Sequence, residues 1–281
     1  MFLRRLKSND AFMGATHTSF SCALFFVFIS FFFSFFEKIT STNSTLIVFF
    51  CFLIILGSSK LPDLDNTTSS AKSALGLVGN ILSNISRIIS NTIYNMSKSK
   101  YDNDTPNPHR GFFHTFLSGI LIFLLVYATT LSKKEFDLLG TKMTVSSVVA
   151  TFWALLSLQI AFPDILNNKR KKQGILSSEA INSIICLFIA GFIIKLASQI
   201  TPSFSWLAFS ISFGQITHII GDMFTAMGTP FLFPIPIKGK RWFMLRFIKF
   251  KSGGEFEKTY LLPMFSTIAI FFAIRFVYLL M

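Results

Sequence analysis

The stretch TSFSCALFFVFISFFFSFF, residues 18–36, decides the class of fold. It carries no charged residue, and its length is close to the roughly 20 residues with which a helix crosses about 30 Å of hydrocarbon. The basic segment before it, MFLRRLKSND, is typical of the start of a signal peptide, but the apolar run is too long and no small-x-small cleavage site follows. We therefore predict a retained first membrane span.

The composition of the chain supports the same class. It has 281 residues, of which 52% are hydrophobic and 37 are phenylalanines, and its mean hydropathy is +0.59. A soluble domain of this size has too little polar surface to cover so many apolar side chains. Six further segments approach the length of a span: 44–58, 112–131, 144–162, 180–199, 204–224 and 260–280. The sequence predicts an all-α integral membrane protein, a bundle of about seven transmembrane helices in one membrane-embedded domain, 1–281.

The distribution of basic residues predicts the orientation. The formal charge of +13 is spread over loops between apolar runs, which favours anionic lipid headgroups as partners at the inner face and argues against nucleic acid. Of the 26 lysines and arginines, 20 lie in the segments 1–17, 59–111, 163–179 and 225–259, and 4 lie in the alternate segments. By the positive-inside rule the N-terminus is cytoplasmic and the C-terminus is outside. The oligomeric state is not indicated.

Two inner loops have patterns of their own. In the segment 71–97 apolar residues recur at spacings of three and four, opposite serine and asparagine, which predicts an amphipathic helix. It could lie at the inner interface, pack against the bundle or cover a site. Within the inner loop 225–259, residues 231–251 alternate apolar and basic side chains, which predicts a β-hairpin or an extended loop with a turn near Gly239.

Polar residues gather at one side of the predicted bundle. All four histidines fall at the inner end of a predicted span, and so do three acids; the set is His17, Asp63, Asp65, His109, His114, His218 and Asp222. The topology was drawn from lysine and arginine alone, so this convergence is independent of it. Each residue by itself could be a hydrated boundary residue, but together they indicate a metal site at the inner face.

The spacing within each motif suits metal binding. HIIGD (218–222) puts His218 and Asp222 four residues apart, on one face of a helix. LPDLD (61–65) would point Asp63 and Asp65 the same way if the segment were extended.

A further motif, PHRGFFHT (108–115), sets His109 before a helix and His114 within its first turns, with Arg110 free to meet an anion. Histidine and carboxylate ligands without thiolate suit a divalent metal, zinc first, with manganese or iron as alternatives and one or two ions bound.

These motifs also carry a resemblance to a known family. LPDLD (61–65), HRGFFHT (109–115) and HIIGDMFTAMGTPFLFP (218–234) resemble the YdjM-type membrane-bound metal-dependent hydrolases, whose pattern reads LPDxDH, HRGxTHS and HxxxDxxTxxGxxxLxP. An early histidine in that pattern matches His17, and GGEFE (253–257) is similar to its G-x-x-x-E element. The family in turn resembles zinc-dependent phospholipase C and the fungal zinc nucleases, which are all-helical enzymes that hydrolyse phosphodiesters.

The resemblance implies roles for particular residues. The implied metal ligands are His17, Asp63, Asp65, His109, His114, His218 and Asp222. Arg110, Thr225 and Glu257 would lie around the ligands or contact the substrate. Two positions depart from the pattern, since Asn66 stands in place of a histidine and Phe113 in place of a threonine.

We therefore expect a membrane-bound metal-dependent hydrolase that acts at the cytoplasmic membrane surface on a phosphodiester or phospholipid-like substrate. Asp63 or Asp65 would serve as general base, and Arg110 would stabilise developing negative charge. One alternative is a divalent-cation transporter or channel, which needs ligands at mid-membrane and on both faces. Another is a non-catalytic membrane scaffold with a degenerate metal site, an option that Asn66 keeps open.

Overall fold

The protein is described by a computed structural model over residues 14–40, 45–66, 69–103, 110–138, 140–162, 178–248 and 254–280. The helices of this part of the chain are α1 (Gly14–Thr40), α2 (Thr45–Ser58), α3 (Ser70–Ala74), α4 (Gly76–Ser97), α5 (Phe116–Thr129), α6 (Val145–Ala161), α7 (Ser178–Ile200), α8 (Ser205–Asp222) and α9 (Leu262–Leu280). Two short strands, β1 (Glu135–Leu138) and β2 (Thr141–Thr144), lie between α5 and α6. The fold is thus mostly helical, as predicted.

Four helical segments of the described residues are long and apolar enough to cross a membrane. They are Gly14–Lys38, Thr45–Asp65, Ala180–Ile200 and Glu257–Tyr278. α5 and α6 are apolar but shorter, with 14 and 17 residues. Membrane-type helices are therefore confirmed, while the number of seven spans and the orientation of the termini stay predictions.

The first and last helices run side by side in the same direction. The hydroxyl of Ser266 lies 3.3 Å from that of Ser19, and further along both helices the rings of Phe33 and Phe276 have centroids 5.7 Å apart. Residue numbers rise along both helices from the first contact to the second, which happens only when two helices are parallel. The starts of α1 and α9 consequently lie at the same end of the bundle.

α8 occupies the centre of the bundle and packs against α1, α2 and α5. Because fifteen of its eighteen residues are buried, its polar side chains face protein and not lipid. Trp206, near its start, belongs to the main apolar core, whereas Asp222 ends it about 24 Å further along the helix axis. The apolar core and the polar end of α8 are therefore separate regions.

The helix α5, which starts at the polar end of the bundle, begins at a side-chain cap. Thr115 accepts a hydrogen bond from the backbone N–H of Ser118 at 3.1 Å and so starts α5. His114 lies just before this cap, in a 3₁₀ turn over Phe112–His114. The predicted span at 112–131 is therefore shorter in the structure, and His114 precedes the helix where the sequence placed it in the first turns.

The sheet lies where no strand was predicted. β1 and β2 pair antiparallel with Glu135 opposite Thr144, at the end of the bundle away from Asp222. In the predicted hairpin region, two isolated antiparallel bridges join Thr229 to Leu245 and Ile237 to Lys240. The Lys238–Gly239 turn between the last pair has positive φ at both residues, 51° and 80°, which is the geometry of a tight two-residue hairpin turn.

α4 buries its small polar face and exposes its apolar one. Buried residues along the helix are Gly79, Ser83, Ser90 and Tyr94, whereas Leu77, Ile81, Ile85 and Ile88 are exposed. The small face packs on the turns that carry Asp65 and His114, since α4 contacts both 3₁₀ segments. Of the options that the sequence left open, an apolar face turned away from the bundle favours the membrane interface.

Candidate metal centre

Four segments of the chain bring the predicted site residues to one end of the bundle. His17 lies in the first turns of α1, Asp63 and Asp65 on the 3₁₀ turn Leu61–Asp65, Arg110 and His114 before α5, and His218 and Asp222 at the end of α8. His109 lies outside the described residues. The long sequence distances between these segments show that the cluster is a product of the tertiary fold.

The aspartates of LPDLD do not point the same way. The segment is a 3₁₀ helix and not extended, so the sequence-based interpretation was wrong on this point. With three residues per turn, side chains two positions apart diverge by about 120°. Asp63 Oδ1 thus lies 3.7 Å from Nε2 of His114, while Asp65 Oδ2 lies 3.7 Å from Nδ1 on the opposite side of the same ring.

The ligand atoms form two overlapping groups. His17, His218 and Asp222 make one group, and Asp63, His114 and His218 make the other; within each group the candidate ligand atoms lie within 4.8 Å of one another. Nε2 of His218 is 3.2 Å from Asp222 Oδ2 and 3.6 Å from Asp63 Oδ1. Because a neutral imidazole nitrogen has one lone pair, His218 can serve only one ion at a time.

The ring of His218 is oriented by its second nitrogen. Nδ1 lies 2.7 Å from the backbone carbonyl oxygen of Ser59, and since that oxygen can only accept, Nδ1 carries the proton. Nε2 is then unprotonated and turned toward the carboxylates, as in metal-binding histidines. The ring also stacks on that of His17, with centroids 3.6 Å apart.

The cluster contains buried polar atoms whose hydrogen-bonding capacity is unused. Both ring nitrogens of His114, Nε2 of His218 and both carboxylate oxygens of Asp222 and Asp65 are buried without a hydrogen bond. The distances between facing histidine nitrogens and carboxylate oxygens are 3.2–3.7 Å. Two ligand atoms that each lie about 2.1 Å from a tetrahedral zinc ion are roughly 3.4 Å apart, which is close to these distances. The residues present therefore fit a divalent metal ion.

The net charge of the cluster also favours a bound cation. The cluster has three carboxylates, Asp63, Asp65 and Asp222, against one guanidinium, that of Arg110. With neutral histidines this leaves two negative charges among side chains that are buried or largely buried, which is costly without a compensating cation. A single divalent ion would neutralise the excess.

Arg110 forms the wall of the cluster on one side. Its Nη1 contacts Asp222 Oδ2 in an ion pair, and the residue is only 2% exposed. Burial lowers the pKa of Arg110 to about 10, against the opposing charges of Asp63 and Asp65. The guanidinium therefore stays charged at neutral pH and is available to an anion.

His114 lies between two carboxylates. Burial acts to lower the pKa of His114, but the nearby carboxylates of Asp65 and Asp63 outweigh it, so this pKa is raised. A proton and a metal ion consequently compete for the ring. Asp65 faces Nδ1 and lies in neither ligand group, which is the position of a carboxylate that orients a ligand.

The remaining predicted residues lie around the cluster. The Thr225 hydroxyl donates to the backbone carbonyl of Asp222 at 2.8 Å, so it secures the end of α8. Glu257 is buried where α9 begins, at the same end of the bundle as His17. The two departures from the family pattern make backbone contacts: Asn66 N–H donates to Asp63 O at 3.0 Å, and Phe113 O accepts from Gln215 Nε2 at 3.2 Å.

Sequence reasoning missed a cleft beside the cluster. Its volume is about 460 Å³, and Arg110 lines it together with Lys240 and Arg246 from the segment around the Lys238–Gly239 turn. The alternation of basic and apolar residues in 231–251 was a signal for this surface, although it did not indicate which residues face Arg110. Ser59, which orients His218 through its backbone, had no signal in the sequence.

Comparisons of the chain with protein-family models, with curated proteins and with solved structures gave no match. The resemblance of its motifs to the YdjM-type hydrolases stays a prediction, and the functional argument rests on the geometry of the cluster.

Proposed function

We propose that the protein is a membrane-bound metal-dependent hydrolase that cleaves a phosphodiester or phospholipid-like substrate at the cytoplasmic membrane surface. The observation that carries the proposal is that the carboxylates of Asp63 and Asp222 both face Nε2 of His218, which is buried without a hydrogen bond, while only one guanidinium opposes the three carboxylates of the cluster. A structural ion-pair network would satisfy these groups with one another, whereas separations of 3.2–3.7 Å leave room for a shared cation.

The fully buried group, His17, His218 and Asp222, would hold one divalent ion, with zinc as the first candidate and manganese or iron as alternatives. One ion is favoured over two because both groups need the same lone pair of His218. When bound, such an ion supplies Lewis acidity to a phosphoryl oxygen and to water.

The protein's own residues would supply the other functions. The Asp63 side chain is 20% exposed and that of Asp65 is 2% exposed, so Asp63 is the carboxylate that a water can reach and is the candidate general base. Asp65 would keep the proton on Nδ1 of His114 and thereby direct Nε2 to the cluster. Arg110 would bind the phosphoryl oxygens and stabilise the charge that develops on them.

The test is hydrolysis by purified protein that is loaded with zinc to a measured stoichiometry. The substrates are a chromogenic phosphodiester and vesicles of phosphatidylglycerol or phosphatidylcholine. We expect turnover that Asp63→Asn lowers by about 100-fold or more while the bound metal is retained, because general-base catalysis contributes about 10²–10⁴-fold. If fully loaded wild-type protein cleaves neither the chromogenic ester nor any lipid, the proposal is wrong.

Transport of a divalent cation is less well supported. A transport path needs ligating side chains along its length. Among the described residues, the buried histidines and acids gather at the end of the bundle where α8 ends and α1 begins. Zinc flux into liposomes without hydrolysis would favour transport, and metal-dependent stability with neither activity would favour a scaffold.

A further inference from the structure

The cleft beside Arg110 has the charge of an anion-binding site. Its lining residues are Tyr94, Asp102, Asn103, Arg110, Lys240, Trp242, Phe243, Met244, Leu245 and Arg246. Three of them carry positive charge and one carries negative charge. The carboxylate of Asp102 accepts backbone N–H groups of Ser99, Arg241 and Trp242 at 2.7–3.2 Å, so it is engaged by the surrounding backbone.

Arg110 is the buried cationic residue of this cleft, and its guanidinium has hydrogen-bond donors that are not used. Nη1 contacts Asp222, whereas Nε and Nη2 are buried without a hydrogen bond among the residues that the structure describes. A buried guanidinium with unused donors is rare in folded proteins unless a ligand supplies the acceptors. The planar fork of an arginine fits the oxygens of a phosphate better than those of a neutral group.

Tyr94 and Trp242, which line the cleft, belong to a packed group of aromatic rings. The rings of Phe233 and Trp242 stack with centroids 4.2 Å apart, and Tyr94 lies 5.0 Å from Trp242. Trp242 Nε1 donates to Ser97 Oγ at 3.1 Å, and Ser99 Oγ donates to Gly239 O at 2.7 Å. These bonds tie the segment 239–242 to the end of α4, so Lys240 is presented on a fixed support.

Lys240 and Arg246 are exposed, while Arg110 is buried. Positive charge therefore extends from the solvent side of the cleft to the cluster. The guanidinium of Arg246 is positioned by a hydrogen bond from Nη1 to the Ala226 carbonyl at 3.3 Å. Such a gradient attracts anions and directs them inward.

We propose that this cleft binds a phosphate ester, with the phosphate on Arg110, the organic part against Trp242 and Tyr94, and Lys240 and Arg246 selecting anionic over zwitterionic esters. Binding itself depends only on the cleft; that the bound ester is the substrate rests on the proposed function. The phosphate could belong to a soluble ester or to a lipid headgroup, since both present the same oxygens.

The experiment measures binding to zinc-loaded full-length protein in detergent or nanodiscs. The probes are glycerophosphoglycerol, a soluble phosphodiester, with glycerol as the uncharged control, and phosphatidylglycerol, an anionic lipid phosphodiester, compared with zwitterionic phosphatidylcholine. We expect the Lys240→Gln/Arg246→Gln double variant to raise the Kd for the phosphate probe by about tenfold, as the loss of two charge contacts implies. The matched control, Lys133→Gln/Lys142→Gln, removes two lysines at the other end of the bundle and should leave the Kd unchanged.

Metal content and thermal unfolding of both double variants are measured first, so that a misfolded variant is recognised. Preference for glycerophosphoglycerol identifies a soluble ester, and preference for phosphatidylglycerol identifies a lipid headgroup. Wild type that binds neither, or a double variant that binds both as tightly as wild type, overturns the proposal. Binding without hydrolysis would reject the proposed function and leave the cleft assignment in place. Hydrolysis unaffected by the double variant would overturn the inference that the ester bound in the cleft is the substrate.

Discussion

Nδ1 of His218 donates a hydrogen bond to the backbone carbonyl of Ser59, and this contact joins the end of α2 to the polar end of α8. The two helices approach closely at Gly214, one turn before His218. A Cβ at Gly214 would lie 2.9 Å from the backbone nitrogen of Ser59 and would also clash with the side chain of Ser58. The orientation of His218 therefore depends on a glycine on the same helix.

Gly214→Ala should disturb both packing and metal binding. Overpacking of a close contact costs about 1–3 kcal/mol, and the shift of Ser59 would misdirect the His218 ring. We expect a lower thermal midpoint and a weaker zinc affinity than in wild type. The matched control is Gly191→Ala in α7, where a Cβ meets no atom within 4 Å. Its stability should be unchanged or slightly higher because alanine is the better helix former. If Gly214→Ala and Gly191→Ala had the same thermal midpoint and the same zinc affinity, the close packing at Gly214 would not matter for the site.

Asp222→Asn should remove the metal. Asp222 contacts His17, His114 and His218 from the centre of the cluster, and the substitution deletes one charge while keeping the shape. We expect zinc affinity to fall by about 100-fold or more, since even residues that only orient ligands contribute about 10–100-fold. Elemental analysis after gel filtration measures this. Asp137→Asn is the control, since Asp137 is an exposed residue of strand β1, and it should bind as wild type does.

Removing the metal from wild-type protein should lower its thermal midpoint, since a ligand that binds only the folded state stabilises that state. The same chelator treatment should have little effect on Asp222→Asn. A wild-type midpoint that does not respond to chelator or to added zinc would argue against a metal centre at this position.

Asp102 should make the support of the cleft sensitive to acid. Partial burial works to raise the pKa of Asp102, but the backbone N–H groups of Ser99, Trp242 and Arg241 outweigh it, so the pKa is lowered from its ordinary value. A lowered pKa in the folded state stabilises the fold above the unfolded pKa of about 3.9, and this contribution is lost as the pH falls through the folded pKa. The loss is therefore expected below about pH 4.

The measurement compares wild type with Asp102→Asn across pH. The difference in their thermal midpoints should be constant above about pH 4 and shrink below it, because protonation makes the wild type resemble the variant. Other titrating groups are the same in both proteins, so their contribution cancels in the difference between the two thermal midpoints. A difference that stays constant down to the lowest accessible pH would show that the charge of Asp102 contributes nothing.

The predicted orientation can be tested by cysteine labelling. The natural cysteines, Cys22, Cys51 and Cys186, are buried, so they give a low background. Lys100→Cys follows α4 at the end of the bundle that contains the site, and Lys133→Cys lies at the other end. With a cytoplasmic N-terminus, an impermeant maleimide should label Lys133→Cys in intact cells and Lys100→Cys only after permeabilisation. The opposite pattern would invert the topology.

Local pattern accounts for part of the site. His218 and Asp222 are four residues apart on a helix, and their side chains meet at 3.2 Å as that spacing predicts. The structure places both aspartates of LPDLD beside His114, but they do not point the same way. Periodicity did not reveal that the segment forms a 3₁₀ turn, which aims Asp63 and Asp65 at opposite sides of His114.

The packing of α4 could be predicted only in part from its amphipathic pattern. The sequence identifies two faces but not which of them packs, because the answer depends on the neighbour. In the structure a Cβ on Gly111 would lie 2.9 Å from Ser90, so only a small residue on α4 fits over the turn that carries Arg110 and His114. The apolar face is left exposed for this steric reason.

The sequence by itself determined the membrane class, the long apolar helices and the residue types of a candidate metal site, because hydropathy and helical spacing depend on near neighbours alone. Only the tertiary structure decided the geometry of the site. The proton on Nδ1 of His218 is set by Ser59, 159 residues away in the sequence, and the cleft combines Arg110 with Lys240 and Arg246. Contacts of this kind arise from how helices pack, which no local pattern encodes.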